Sequence, residues 1–313
     1  MKVATQFLKN LTLSAALLVS ANAVAETIEV THAAGTIEVT HAAGTTTVET
    51  QPQRVVVLGL GSLDVLDHIG VEPIGVVKSF LPDYLSKYQD DSVTNVGSLH
   101  EPDFETIFTL KPDLIIASSR TAPLAKDLSA IAPTIVFQID GNGYWESAQE
   151  NWRMLGEIFE KEAEVESYIS QIQADYDAIR ADVTEQELNA LTIMTNGSKL
   201  TTFGSEGRFS TIYTDFGFAE AKSGITQATH GNLVSFEYIA SANPDVMFVL
   251  DRDAAIGKAQ GNAQTLLNND LVHQTPAAQD EHLAYLNTSA WYLIAGGIGA
   301  TKIMINDVRT VLN

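Results

Sequence analysis

Cysteine is missing altogether from the 313 residues. Its absence excludes disulfides, thiolate metal sites and cysteine nucleophiles, and it leaves no thiol beside the N-terminal leader to carry a lipid. Basic residues are scarce: 18 Lys and Arg stand against 39 Asp and Glu, a formal charge of −21 at pH 7. Nucleic acid and anionic membrane are poor partners for such a surface, and an anionic ligand would need a local cationic exception. Long apolar runs are lacking beyond the first residues. After Val19 no stretch is long and apolar enough to span a bilayer, so a soluble mature chain is expected.

What is present starts with a leader. Lys2 and Lys9, the apolar run Leu11 to Val19, and Ala23-Val24-Ala25 before Glu26 predict a cleavable secretory signal ending at Ala25 and a soluble periplasmic protein. Its removal takes the formal charge to −23, because Lys2 and Lys9 are its only charged residues. Residues 26–50 then contain the unit TIEVTHAAG twice without a change, at Thr27–Gly35 and Thr36–Gly44. Its alternation predicts β-strand. His32 and His41 could pair on a metal, but a tail or edge hairpin with solvated histidines is the simpler expectation.

From Glu162 to Val183 apolar residues recur every three or four positions with no Gly or Pro between them. That spacing predicts one amphipathic helix, a strut between two lobes. On either side of it the chain repeats itself. FETIFTLKPDLIIASSR, Phe104 to Arg120, and FEYIASANPDVMFVLDR, Phe236 to Arg252, share six identities at a constant offset of 132 positions. Each copy reads as a helix stopped before Pro-Asp, a buried strand, and an arginine at the strand's carboxyl end. Ligands of open α/β sheets bind beyond those ends, so Arg120 and Arg252 are expected to face a shared space. The fold class is therefore α/β: two Rossmann-like lobes with parallel sheets joined by one long backbone helix. The expected division is a leader (1–25), the duplicated segment (26–50), an N-terminal lobe (51–160), the inter-lobe helix (161–184) and a C-terminal lobe (185–313).

Shorter elements follow from the same reading: a helix over Pro123–Ile131, a strand at Thr134–Phe137, a helix over Ser147–Phe159, and a hairpin from Leu191–Thr195 through Asn196-Gly197-Ser198 into KLTTFG. Gly59-Leu60-Gly61-Ser62 invites a dinucleotide reading, but Asp64 stands where the third glycine belongs, and Ser62 is not in a GxSxG elbow. His68 reads as a packed or surface histidine.

Arg120, Arg208, Arg252, His230 and Tyr292 all fall on loops at the expected mouth. Guanidinium is permanently charged and presents a planar donor fork suited to oxyanions. A lone arginine is more often a surface ion-pair partner; the symmetric placement of Arg120 and Arg252 argues for ligand contact. A histidine nitrogen and a tyrosine oxygen could complete the shell of a hard cation such as ferric iron. Packing is the default for Tyr292, which follows Trp291.

LKPDLIIASSR, TFGSEGRF, THGN, NPDVMFVLDR and WYLIAGG together resemble the helical-backbone class of periplasmic binding proteins for iron-siderophores and cobalamin, within it the ferric-catecholate branch. The similarity runs from about Gln51 to the C-terminus; the doubled TIEVTHAAG lies outside it. The resemblance implies a binding protein rather than an enzyme. It would have no intrinsic cofactor, act as a monomer, carry Fe(III) only as a ferric siderophore, and deliver it to an inner-membrane ABC permease. It also implies that Arg120, Arg208 and Arg252 contact catecholate oxygens, that His230 and Tyr292 bind iron when the siderophore is tetradentate, and that Glu105 and Glu237 dock on the permease. Cobalamin or haem would not obviously need three cleft arginines. A periplasmic hydrolase or metal enzyme would need a nucleophile–base set or a metal cluster that the sequence does not display.

Overall fold

The computed structural model describes residues 35–225, 231–258 and 262–312. A hairpin, β1 (Thr36–His41) and β2 (Gly44–Glu49), precedes the first lobe. That lobe runs β3 (Val55–Val57), α1 (Leu60–His68), β4 (Gly75–Val76), β5 (Thr94–Asn95), α2 (Phe104–Leu110), β6 (Leu114–Ser118), α3 (Ala125–Leu128), β7 (Thr134–Phe137) and α4 (Tyr144–Phe159). Helix α5 (Glu162–Glu185) leads into the second lobe: β8 (Asn189–Asn196), β9 (Lys199–Phe203), α6 (Ser210–Thr214), β10 (Ala219–Glu220), β11 (Asn232–Val234), α7 (Phe236–Ala242) and β12 (Val246–Asp251). The chain ends with α8 (Arg252–Ala255), α9 (Asn262–Leu267), α10 (Asp270–His273), α11 (Pro276–Gln279), β13 (Leu283–Tyr285), α12 (Thr288–Tyr292) and α13 (Ile298–Arg309).

The first sheet is parallel throughout, in the order β5-β4-β3-β6-β7. The second has a parallel core, β8-β12-β13 with β10 beside β8, and adds β9 and β11 as antiparallel strands. The antiparallel addition is the hairpin legible in the sequence. Gly197 turns it with φ 58, a value that favours glycine.

The duplication extends to individual hydrogen bonds. Asp103 and Ser235 cap α2 and α7 by accepting from the amides of Thr106 and Tyr238. Lys111 and Asn243 end those helices in the left-handed region, both with φ 48. Proline then prevents continuation. The following aspartates reach the start of the neighbouring strand: Asp113 accepts from the amides of Gln53 and Arg54, and Asp245 from that of Asn189. The repeated Pro-Asp is thus a device that stops a helix and fastens the next strand.

Helix α5 buries Val165, Ile169, Ile172, Tyr176, Ile179 and Val183 along one stripe. At 1.5 Å per residue its 24 residues extend about 36 Å. Two neighbours differ from expectation. Instead of one helix over Pro123–Ile131 there is a 3-10 turn at Ala122–Leu124, with Pro123 at its start, and then only the four residues of α3. Helix α4 begins a turn earlier than Ser147, at Tyr144.

In the N-terminal hairpin Val39 and Val48 are buried, and the Thr46 hydroxyl donates to the Thr134 carbonyl at 3.1 Å. His41 is engaged within the hairpin rather than solvated: Nε2 bonds the Thr46 hydroxyl at 2.9 Å, Nδ1 accepts from the Ala43 amide, and burial lowers its pKa. His32, the first TIEVTHAAG copy but for its final glycine, and the leader lie outside the described residues.

Asp64, the residue that spoils the dinucleotide motif, is fully buried. It accepts from the amides of Gly299 (3.0 Å) and Ala300 (2.8 Å) at the start of α13 and from the Tyr84 hydroxyl (3.0 Å). A first-lobe carboxylate therefore satisfies the orphan donors of the C-terminal helix. His68 is the ion-pair partner, with Nδ1 2.9 Å from Asp64 Oδ1. Burial pulls the His68 pKa down, but the bond to Asp64 and its charge outweigh both burial and the repulsion of Lys302, so the pKa is raised. The stability this pair contributes is complete below about pH 6.5 and is lost as pH rises through the folded-state pKa. Urea unfolding between about pH 6 and 8 should show wild type losing more stability than His68→Gln; parallel profiles would refute the linkage.

Candidate ligand-binding cleft

The carboxyl ends of β3, β6 and β7 and the end of α12 enclose a cleft of about 490 Å³, within the size range of small-molecule sites. Gly59–Ser62, at the first turn of α1, form one wall and Ser118–Arg120 the adjacent one. Phe137 and Ile139 supply an apolar side, and Arg208, Trp291 and Tyr292 face them from the second lobe. Gly61 has a specific reason to be glycine: a Cβ there would overlap the Ala295 carbonyl oxygen, part of the segment that carries Tyr292 towards α13.

Each candidate side chain is presented by a fixed local structure. Arg120 sits in a turn after β6, where the Thr121 amide donates to the Ser118 carbonyl at 3.0 Å and the Ser118 amide to the Thr121 hydroxyl at 2.9 Å. Arg252 opens α8, and Asp251 caps that helix by accepting from the Ala254 amide. Arg208 follows Gly207, whose φ is 104 and whose amide donates to Asn142 Oδ1 of the first lobe at 3.1 Å. The loop is further tied by Ser210, whose hydroxyl donates to the Gly141 carbonyl. Tyr292 ends α12, which is capped by Asn287 and anchored by Trp291 Nε1 donating to Asp307 at 2.8 Å. Burial raises the Asp307 pKa, with the bonds from Asn287 and Trp291 opposing it.

The three arginines converge on Tyr292. Arg120 Nη2 donates to its carbonyl at 3.1 Å, and Arg252 Nε donates to its phenol oxygen at 3.0 Å. The Arg208 guanidinium carbon lies 4.6 Å from its ring centroid and that of Arg252 6.0 Å, both within cation–π range. Arg120 and Arg208 lie on the cleft wall; Arg252 stands behind the phenol and also donates to Asn196 Oδ1 at 3.4 Å. Burial lowers the Arg120 pKa, as does the charge of Arg208. Arg208 is lowered by burial first and by Arg252 as well, with Tyr292 opposing. Arg208 is nonetheless solvent-exposed, so the crowding is that of an open cleft and not of a closed interior.

Such a set suits an anion chemically. Three cations around one ring repel each other when the cleft is empty, and a bound negative charge converts that repulsion into attraction. Asp140 is the carboxylate on the wall, and its Oδ1 already accepts from the Asn142 amide at 2.9 Å. The first-turn amides of α1 add positive partial charge from the opposite side. Among the described residues no group of three or more His, Asp or Glu side chains could hold a metal ion. Nor is any described helix long and apolar enough to cross a membrane.

His230 lies outside the described residues, so its place relative to Tyr292 is not assigned. Trp145 does not face the cleft but is buried: its Nε1 donates to Gln173 on α5 at 2.7 Å, and its ring meets Trp152 and Tyr176. The early start of α4 turns it towards the backbone helix. Glu105 and Glu237 are exposed in the first turns of α2 and α7. Sequence reasoning missed the glycine-rich wall and the Phe137/Ile139 side; their position after β3 and β7 was the available signal.

Comparison with known proteins agrees with this architecture. The family description "Periplasmic binding protein" matches residues 55–290, from β3 into α12. The petrobactin-binding protein YclQ of Bacillus subtilis is 40% identical over 266 residues, 84% of each chain. The crystal structure of the periplasmic catecholate-siderophore binding protein VctP of Vibrio cholerae superposes with a TM-score of 0.85 at 44% identity, covering 88% of this chain and all of that one. BauB, bound to two acinetobactin molecules and ferric iron, gives 0.82 at 31% identity, covering 89% and 99%. With a two-lobe fold, a helical backbone and a matched span from β3 into α12, this chain belongs to the periplasmic binding protein family.

Proposed function

We propose that this protein is the exported, periplasmic receptor of an ABC importer, capturing a ferric catecholate siderophore in the cleft without chemical turnover. The observation that carries the reading is the meeting of Arg120, Arg208 and Arg252 at Tyr292, from both lobes. Ferric iron with three doubly deprotonated catechols carries three negative charges, which three permanent cations answer. With two catechols the complex carries one negative charge and leaves two iron positions open. A tyrosine oxygen suits a hard ferric ion, and His230 is our candidate for the other position. The likeness to VctP, a catecholate-siderophore binding protein, supports the same class. Iron is cargo here, brought in by its chelate.

Titration of the protein with a ferric tris-catecholate, a ferric bis-catecholate, haem and cobalamin tests this, read by quenching of Trp291, which lines the cleft. Saturable binding of the catecholates alone is expected. Preference for haem or cobalamin would reject the reading in favour of another ligand class on the same fold.

Glu105 and Glu237 occupy equivalent exposed positions, one per lobe, and we assign them to permease docking. Reversing both charges should abolish siderophore-dependent uptake with ligand binding intact. Uptake at the wild-type rate would dismiss them.

A further inference from the structure

The first lobe carries an aromatic group on the same rim that the cleft described above does not use. Lys78, Ser79 and Phe80 follow β4, which lies beside β3 in the parallel sheet. They leave that sheet at the same carboxyl end as Gly59 and Arg120. Phe80 has φ 63, the left-handed region that a bulky aromatic rarely adopts, and its side chain is 45% exposed. Next to it the Ser79 hydroxyl oxygen is buried and makes no hydrogen bond among the described residues. A backbone outlier beside an orphaned buried hydroxyl is what a loop shaped for a ligand, rather than for stability, retains.

The loop is held in place. Lys78 Nζ donates to the carbonyls of Gln89 (3.1 Å) and Asp90 (2.9 Å), and Gln89 Nε2 returns a bond to the Lys78 carbonyl at 2.9 Å. Phe80 reaches the second lobe: a Cβ on Gly257 would lie 3.8 Å from its Cε1. Gly257 follows α8, whose first residue is Arg252. The Ile256 amide donates to the Arg252 carbonyl at 3.2 Å and the Gly257 amide to that of Ala254 at 3.1 Å, so Gly257 follows Arg252 by little more than one turn of chain. The Phe80 ring therefore lies against the segment just after α8, on the flank formed by β4, whereas Phe137 stands on the β7 flank.

We propose that Phe80 is an aromatic wall of the ligand site, stacking on a catechol ring of the ferric complex; the inference rests on the catecholate reading above. The arginines recognise charge, which an aliphatic ferric chelate also carries. A π-face adds recognition of the aryl group itself.

Fluorescence titration of Phe80→Ala, Phe80→Leu and Phe80→Trp with a ferric tris-catecholate tests the assignment. Loss of a stacked pair corresponds to about a three- to tenfold weaker Kd in the Ala and Leu variants, with Trp retaining wild-type affinity. The loss should be the same at low and high salt, since stacking is not a charge interaction. Phe80→Gly, which suits the left-handed backbone, should show the same loss while melting no lower than wild type. Unchanged affinity in the Ala and Leu variants, or full recovery with Leu, would overturn the aromatic role and leave the catecholate reading intact. Failure of the wild type to bind any ferric catecholate would overturn that reading, and this inference with it.

Discussion

Arg208→Met is expected to weaken binding of a ferric tris-catecholate by about ten- to a hundredfold, equivalent to losing ~1.5–3 kcal/mol of charge-assisted contact. Arg208 is the cleanest of the three arginines to remove. Among the described residues its guanidinium forms no ion pair, and it lies against the Tyr292 ring. Its loop is held through the Gly207 amide and Ser210 rather than through the side chain. The melting temperature should therefore stay within a few degrees of wild type. Arg120→Met should cost binding too, but it also releases the Tyr292 carbonyl and so confounds affinity with the shape of the cleft. Arg208→Lys is expected to fall between wild type and Met, because the charge survives and the planar fork does not. The wild-type advantage should shrink as salt rises, since the side chain is open to solvent. An unchanged Kd in Arg208→Met at low salt would remove the electrostatic basis of the proposed function.

Tyr292→Phe should separate the two kinds of catecholate. For a tris-catecholate, whose iron is already saturated, the change removes only the bond from Arg252 Nε, and Arg252 keeps Asn196. A several-fold effect at most is expected. For a bis-catecholate, on the proposed reading, the same change removes an iron ligand. Loss of outer-shell partners alone typically costs metal sites 10–100-fold, so a directly bound oxygen should be worth on the order of a hundredfold or more. The visible charge-transfer band contributed by a tyrosine–iron bond should vanish with it. An unchanged spectrum and Kd for the bis-catecholate would show that Tyr292 serves only as the platform on which the arginines rest.

The two predictions meet on one residue for a geometric reason. Tyr292 is 172 positions from Arg120, 84 from Arg208 and 40 from Arg252, yet it touches all three. Its own placement depends on Asp307 holding Trp291 and on Asp64 holding the start of α13. Changes at these supports should loosen the cleft without altering any group that faces it.

Sequence by itself settled whatever is local or periodic. The apolar stripe of α5 required a helix, because that spacing buries one face only at 3.6 residues per turn. The 132-residue offset required two equivalent units, and Pro-Asp after each repeated helix required a stop and a strand. That Arg120 and Arg252 follow the carboxyl ends of their strands was legible for the same reason. Tertiary structure decided what depends on contacts between distant segments. It turned Trp145 into the interior, gave Asp64 the task of capping a helix 235 residues away, and brought Phe80 to Gly257. Which side of a helix meets a partner, and which loops share a rim, follow from the packing of whole lobes, and no short window of sequence contains that packing.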